Sequence, residues 1–547
     1  MTTLTQYASV VARLRDLAQQ RPDAVAVRFL ADDVSTSEAV TYGELDEAAR
    51  RVAAYLQGHG LGTERIQLNL PTSREYLLAY CGCLYAGCPA VPSLPPRPNR
   101  DQVRNASIID DARPAAVMMQ QDSTGGTNIS ARTGHAQPLR LDVDSMLDAT
   151  PEDWVDSGAV HRTLAMLQYT SGSSATPKGV MVSHGNLLQN LQMLIAALEP
   201  TGETVGMSWL PLHHDMGLIG GLLTPLCAGF PIVLMKPETF LLRPVRWLQA
   251  ISTFRANWSV APNFAYQYCV DRISETQKAD LALDCWHTAI VGAEPIRRAT
   301  LEAFIAKFSD AGFARESFFP CYGLAEATLF VSGGRYRVDC AQERSAPLSC
   351  GIGAKDETVL IVDPESGRRC APGQKGEICV SGPNVAQGYW EEPEATAQVF
   401  CGHVEGHEGS FLRTGDLGFE RDGEIFITGR EKNMLIVAGR NIHFEDIEHC
   451  VTECIASAAF GRCAAFGIDE GEKEKLIVLV ELRKSGRMSA AAMESDMRSS
   501  ILAQVTKDFE VPVHEIVFVK PGSIPRTSSG KTQHNHCRDS FLAGAYD

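Results

Sequence analysis

The chain has 547 residues, 44% of them apolar and 21% charged, and a net charge of −16 at pH 7. That length exceeds what one hydrophobic core supports, so at least two domains are expected, and the composition excludes both a disordered and a membrane-embedded protein. The acidity argues against a nucleic-acid partner, because a phosphate backbone calls for a basic surface. No run of about 18 uncharged apolar residues is present to span a membrane. The first twenty residues scatter their charges and carry no apolar stretch of the secretory kind. The sixteen cysteines are dispersed, and Cys81-Gly-Cys83 has the wrong spacing for a structural zinc site. They read as reduced thiols of a cytoplasmic protein.

Apolar strand-like runs alternate with amphipathic helical stretches, the pattern of an α/β fold. Thr41-Tyr-Gly-Glu44 has the form of a capping box, opening a helix whose apolar face carries Leu45, Ala48, Val52 and Leu56 and which Gly58 and Gly60 end. Ile66–Leu70 reads as a strand and Tyr76–Ala86 as a buried helix. Further on, Gly376–Ser381 and Glu424–Thr428 read as short strands. A boundary falls near Gly429-Arg430-Glu431-Lys432, which separates residues 1–429 from 430–547. Beyond it, Ala464–Ile468, Lys475–Leu482 and Glu515–Lys520 read as strands, with a helix at Ala490–Phe509 packed across them. That is a compact α+β domain of roughly a hundred residues. No internal repeat is present, which excludes solenoids and propellers.

Tyr169-Thr-Ser-Gly-Ser-Ser-Ala-Thr-Pro-Lys-Gly179 packs five hydroxyl residues beyond Tyr169, two glycines and one lysine into eleven positions. Small residues let backbone N–H groups approach an anion, hydroxyls donate to it, and Lys178 supplies charge. In an acidic protein an anionic substrate has to be received by such local donors. The loop is not a Walker A sequence, since Pro177 stands where glycine is required and Gly179 replaces the Ser/Thr. Leu164–Tyr169 and Val180–Val182 both read as extended, so the loop joins two strands and no helix dipole serves the anion.

This loop resembles the phosphate-binding motif of the adenylate-forming superfamily, which includes acyl-CoA synthetases, nonribosomal adenylation domains and luciferases. Leu210-Pro-Leu-His-His-Asp-Met-Gly-Leu-Ile-Gly220, Tyr322-Gly-Leu-Ala-Glu-Ala-Thr328 and Gly429-Arg-Glu-Lys-Asn433 carry a narrower likeness to the fatty acyl-AMP ligases. The likeness covers almost the whole chain, with the motifs in the family's order. It implies a large N-terminal adenylate-forming domain with β-rich subdomains and a small mobile C-terminal domain.

The resemblance also distributes roles. Thr170, Ser171, Gly172, Ser173, Ser174, Thr176 and Lys178 would hold the phosphates of ATP. Gly292, Ala293 and Glu294 would seat the adenine, with Tyr322 and Gly323 beside it. Glu326 would hold Mg²⁺, for which hard oxygen ligands are suited. Ala325 stands where many superfamily members have Thr, an alanine the fatty acyl-AMP ligases share. Asp416, in Arg413-Thr-Gly-Asp-Leu-Gly418, would accept both ribose hydroxyls, with Arg430 as a further ribose and phosphate contact. Lys432 falls at the hinge, and Lys531, in Pro525-Arg-Thr-Ser-Ser-Gly-Lys531, is the adenylation lysine. His214 is placed near the acyl carboxylate, while Asp215 lies where amino-acid-activating relatives anchor the ammonium.

His213-His214-Asp215 on its own invites a metal or triad reading. Adjacent histidines diverge on a helix or strand, which argues against shared metal ligation, and no Gly-x-Ser-x-Gly elbow accompanies them. The acyl pocket is expected from Met207–Pro211 and Asn257–Tyr266. Trp209, Trp258, Phe264 and Tyr266 serve there either as its apolar wall or as ordinary core aromatics.

The implied reaction is ATP-dependent, Mg²⁺-assisted conversion of a carboxylic acid, fatty by this likeness, to acyl-AMP with release of pyrophosphate. Transfer to the phosphopantetheine of a stand-alone acyl carrier protein follows. Fatty acyl-AMP ligases carry an extra segment after Tyr-Gly-Leu-Ala-Glu that is associated with poor use of coenzyme A. Here only Gly334–Leu348 fills that interval, which makes coenzyme A the alternative acceptor. Amino-acid activation is the alternative substrate class.

Overall fold

The computed structural model describes residues 3–31, 34, 36–95, 102–120, 137–169, 177–337, 347–430, 434–437, 440–455, 460–470, 473–482, 490–509, 511–526 and 531–546. The described chain divides into two compact units. The first runs to residue 414 and takes in 419–427, and the second comprises 415–418 and the chain from 428 onward.

Local signals in the first unit act as the sequence reads. The Thr41 hydroxyl accepts from the Glu44 N–H while the Glu44 carboxylate accepts from the Thr41 N–H, which satisfies two orphan donors at the start of the helix Tyr42–Gly58. Its apolar face, Leu45, Ala48, Val52 and Leu56, is buried against the helix Arg74–Ala86. The two helices meet closely at Gly82, where a β-carbon would strike the Val52 side chain.

Two sheets organise this unit. One runs Leu139–Leu141, Ala116–Met118, Ile66–Leu68, Ala90–Pro92, Leu164–Tyr169, Gly179–Ser183. Its strands are parallel up to Leu164–Tyr169, which turns back to pair antiparallel with Gly179–Ser183. The other has a parallel centre of Val25–Leu30, Ile232–Leu234, Gly206–Ser208, Trp258–Pro262, Thr288–Gly292 and Phe318–Gly323. Antiparallel strands extend it at both ends, among them the hairpin Phe318–Gly323 to Phe330–Gly333. Every residue of Trp258–Pro262 and Thr288–Gly292 is buried, as expected of parallel strands covered on both faces.

Behind these strands an aromatic cluster forms the densest part of the core. Tyr266 stacks on Trp286 and meets Trp247, Phe304 and Phe318 edge-on, with ring centroids 5.1–6.2 Å apart. Its hydroxyl donates to the Ile290 carbonyl at 3.1 Å. Tyr266 and Trp258 are both core side chains, each at most 3% exposed.

In the second unit Phe460–Glu470 pairs antiparallel with Lys473–Leu482, which pairs in parallel with Val513–Val519. Leu476 to Val480 are all buried, as befits a central strand, and the helix Ala490–Phe509 buries Met497, Ile501 and Val505 at intervals of four. A hairpin of Met434–Val437 and Arg440–His443 stands apart from that sheet. Among the described residues no helix is long and apolar enough to cross a membrane, and no cysteine is in a disulfide.

One buried ion pair ties this unit together. His534 Nε2 lies 2.8 Å from Glu448 Oε1, which also accepts from the Ala465 N–H. Burial opposes a charged imidazole, but the Glu448 charge and hydrogen bond, aided by Glu445, outweigh it and raise the His534 pKa above its ordinary value. A raised folded pKa stabilises below the unfolded value near 6.5, and that contribution is lost as pH rises through the folded pKa. Hydrogen exchange in Phe444–Cys454 should therefore speed up between pH 6 and pH 8.5 beyond the intrinsic rate. In His534→Gln that excess should vanish; an unchanged excess would contradict the pair's role.

Candidate active site

In an open α/β sheet, ligands bind at the carboxyl ends of the parallel strands. Four neighbouring strands here end in sequence-marked segments: Gly206–Ser208 in Trp209 to Asp215, Trp258–Pro262 in Asn263 and Phe264, Thr288–Gly292 in Ala293 and Glu294, and Phe318–Gly323 in Leu324 to Glu326. The topology brings Trp209, His214, Asp215, Gly292, Ala293, Glu294, Tyr322, Gly323 and Glu326 to one sheet edge.

The hairpin tip that carries Glu326 is the tightest of these. A β-carbon at Gly323 would fall on the Leu329 carbonyl oxygen, so only glycine lets the chain close here. Ala325–Ala327 form a 3₁₀ turn, and Thr328 leaves it at φ 68°, ψ −57°, a left-handed conformation that costs a β-branched residue about 1–3 kcal/mol. The turn is held from outside. The Thr328 hydroxyl donates to the Asn384 carbonyl at 2.6 Å, and the Asn190 amide donates to the Phe330 carbonyl at 2.8 Å while accepting from its N–H at 3.0 Å. The Asn384 amide in turn donates to Glu357 Oε2 at 2.9 Å, and burial pushes the Glu357 carboxyl up to about 8. Glu326 Oε1 accepts from the Tyr389 hydroxyl at 2.8 Å, and Oε2 has no hydrogen-bond partner among the described residues.

The phosphate-loop frame is equally braced. Tyr169 pairs with Gly179 as the last register pair of the two flanking strands. A β-carbon at 179 would come within 2.9 Å of the Tyr169 ring. Burial keeps the Tyr169 phenol protonated, and it donates to Asp111. Residues 387–390 run alongside: Gln387 N–H donates to the Met181 carbonyl, Met181 N–H to Gly388 and Trp390 N–H to Gly179, at 2.8–2.9 Å. Lys178 Nζ lies 4.9 Å from the centre of the Tyr389 ring. Thr170, Ser171, Gly172, Ser173, Ser174 and Thr176 lie outside the described residues, as do Lys432 and most of the short 334–348 segment.

At the base-binding segment, Gly292 backs onto Cys321, whose sulfur would lie 2.7 Å from a β-carbon. The need for glycine comes from this neighbour strand. Ala293 adopts φ 64°, and the Glu294 carboxylate accepts from the Phe264 N–H, which fixes the turn against the adjacent strand end.

The His213-His214 rings lie 4.5 Å apart, tilted by 43°. They sit on a turn, where the divergence expected of a helix or strand does not apply. Among the described residues, no three His, Cys, Asp or Glu side chains gather as metal ligands. The turn is fixed by Gln168, whose amide donates to the His213 carbonyl at 2.9 Å, and by Tyr76, whose hydroxyl donates to that of Leu212 at 2.7 Å. Asp215 accepts from the Met216 N–H at the head of a π-helix, Met216–Leu223, a form that often marks functional sites. Trp209 stacks on Phe240 at 3.9 Å and meets the half-buried Phe264 edge-on.

In the second unit, Arg430 Nε donates to Asp416 Oδ1 at 2.7 Å, and Asp416 is buried. Lys531 is exposed. Its loop is closed by a bridge between Arg526 and Thr532 and by the Gln533 N–H to the Pro525 carbonyl at 3.0 Å.

Sequence reasoning passed over Tyr389, Gln168, Asn190 and Asn384. Asn186 and Asn190, four apart on the leucine-rich face of the helix His184–Leu198, gave a legible signal: amides on an apolar face have a fixed partner. Tyr389 had none, because its partners are remote in sequence.

The chain belongs to the AMP-binding enzyme family, whose model matches residues 14–390. A model described as the AMP domain of Disco-interacting protein 2-like proteins matches residues 432–547. The chain is similar to the medium-chain-fatty-acid–[acyl-carrier-protein] ligase JamA of Moorena producens, 38% identical over 99% of this chain and 96% of that one. It is also similar to the long-chain-fatty-acid–AMP ligase FadD26 of Mycobacterium bovis, 34% identical over 98% of both. Its fold matches the crystal structure of a fatty acyl-adenylate ligase from L. pneumophila in complex with acyl adenylate and pyrophosphate. That match has a TM-score of 0.76 and 36% identity, covering 99% of this chain and 97% of the other.

Gly323→Ala should push the hairpin open, lowering stability by about 1–3 kcal/mol and weakening ATP binding. Denaturant titration and calorimetry with ATP measure the two. Wild-type values for both would show that the Leu329 contact does not set the turn.

Proposed function

We propose that this enzyme condenses a fatty acid with ATP to give acyl-AMP and pyrophosphate, then delivers the acyl group to the phosphopantetheine thiol of a stand-alone acyl carrier protein. The observation that carries the reading is the row of strand ends from Trp209 to Glu326, with Lys178 linked to it through Tyr389. The full-length likeness to ligases of fatty acids, one of them named for a carrier protein, supports the substrate and the acceptor.

In the first step a carboxylate oxygen attacks the α-phosphorus, the bond to the α,β-bridging oxygen breaks, and its electron pair leaves with pyrophosphate. Two anions must meet, so positioning and positive charge are the catalytic requirements. Lys178 and the hydroxyls and amides of residues 170–176 hold the phosphates, and Gly292, Ala293, Glu294, Tyr322 and Gly323 take the adenine. Asp416, buried beside Arg430, accepts the ribose hydroxyls. His214 orients the acid, Trp209 borders its chain, and Asp215 fixes the turn between them. Lys531 neutralises the attacking and bridging oxygens, and dihedral changes at Lys432 bring it in and take it away. In the second step the thiolate sulfur attacks the acyl carbonyl carbon and AMP departs.

Glu326 suits Mg²⁺. It offers one hard oxygen with no other partner among the described residues, and Mg²⁺ is held by one or two carboxylates plus nucleotide phosphates. When bound, the ion offsets phosphate charge. The absence of disulfides among the described residues fits a reducing cytoplasm. Coenzyme A is the second reading for the acceptor, favoured by the short 334–348 interval.

Lys531→Ala should lower acyl-AMP formation by on the order of 10²–10³ yet leave thioester formation from supplied acyl-AMP intact. Pyrophosphate release and single-turnover transfer report the two steps. Wild-type adenylation in the variant would remove Lys531 from the mechanism, and discharge onto coenzyme A in place of the carrier would select the second acceptor.

A further inference from the structure

The side chain that joins Lys178 to Glu326 has no part in the reaction as written above. Tyr389 donates its hydroxyl to Glu326 Oε1 at 2.8 Å and presents its ring to Lys178 Nζ, 4.9 Å from the ring centre. It is itself firmly held. Its N–H donates to the Thr396 hydroxyl at 2.9 Å, its ring meets Phe400 edge-on at 5.1 Å, and its backbone bridges to Val180. The preceding Gly388 takes φ 128°, with Thr396 packed where a β-carbon would project.

We propose that Tyr389 is a positioning residue that holds the phosphate-loop lysine and the metal-binding carboxylate apart and aimed at one triphosphate. The proposal rests on the roles given above to Lys178 and Glu326. Left to themselves, an ammonium and a carboxylate this close to a common ring would pair directly and cancel the two charges that ATP and its metal need. The aromatic face attracts the ammonium through its quadrupole without neutralising it, so a phosphate oxygen can take the lysine over without first breaking an ion pair. The phenol O–H occupies one carboxylate oxygen and turns the other toward the metal. Preorganisation of this kind removes an ordering step from binding.

The two halves of the device separate by mutation. Tyr389→Phe keeps the ring under Lys178 and deletes the donor to Glu326. Tyr389→Leu deletes both. The probes are Mn²⁺ binding to the complex with α,β-methylene-ATP, followed by electron paramagnetic resonance, and binding of that nucleotide in the absence of metal, followed by calorimetry. Both are read on the full chain and need no turnover. In Tyr389→Phe we expect Mn²⁺ affinity to fall about fivefold, the scale of one lost hydrogen bond, with metal-free nucleotide affinity and melting temperature as in wild type. In Tyr389→Leu both affinities should fall, because Lys178 and Glu326 now pair.

Unchanged Mn²⁺ affinity in the Phe variant would overturn the proposal. So would a parallel loss of metal-free nucleotide affinity and melting temperature in that variant, the mark of a merely structural tyrosine. A wild-type protein that binds the nucleotide but releases no pyrophosphate with any fatty acid would refute the reaction assigned above and leave the Tyr389 measurement standing.

Discussion

The carbonyl of Leu329 occupies the place where a side chain at position 323 would begin, and much of the nucleotide side of this enzyme follows from that approach. It forces glycine at 323 and shortens the turn to a single 3₁₀ step. It also drives Thr328 into a left-handed conformation that must be compensated nearby. The compensation is the set of amide and hydroxyl bonds from Asn190, Asn384 and Thr328. Those bonds draw residues 382–390 against the tip, and Tyr389 arrives with them beside Glu326. Strain at one residue and rigidity around the candidate metal ligand are two sides of one arrangement.

A second constraint is charge. A protein of net charge −16 has to attract a polyanion, and long-range field works against it. Short-range means are used in its place: backbone N–H groups, hydroxyls, and a lysine stored on an aromatic face. Acidic groups near the hairpin are muted. Glu357, beside Asn384, is pushed up to about 8 by burial, so it adds little negative charge at neutral pH. Asp416 is paired with Arg430 at 2.7 Å. Local chemistry thus offsets what global composition opposes.

Much of this was legible in the sequence where the signal was local. The Thr41 capping box, the strands flanking the phosphate loop and the Ala490–Phe509 helix all formed as read, because each depends on residues a few positions apart. The aromatics of the expected acyl wall were ambiguous in sequence, and Trp258 and Tyr266 belong to the core cluster. Apolar side chains look alike whether they line a pocket or fill an interior. The histidine pair misled in a different way: strand and helix geometry says neighbours diverge, but a turn obeys neither periodicity. Tyr389 was invisible for a topological reason. Its partners, 63 and 211 positions away, meet it only after the chain has crossed between sheets.

The most direct test of the account is exchange of labelled pyrophosphate into ATP by the wild-type chain, run in parallel with fatty acids of graded length and with amino acids. Exchange reports reversible acyl-AMP formation and needs no acceptor. The account predicts exchange that depends on a fatty acid. Exchange supported by amino acids alone, or no exchange with any acid while ATP still binds, would contradict it.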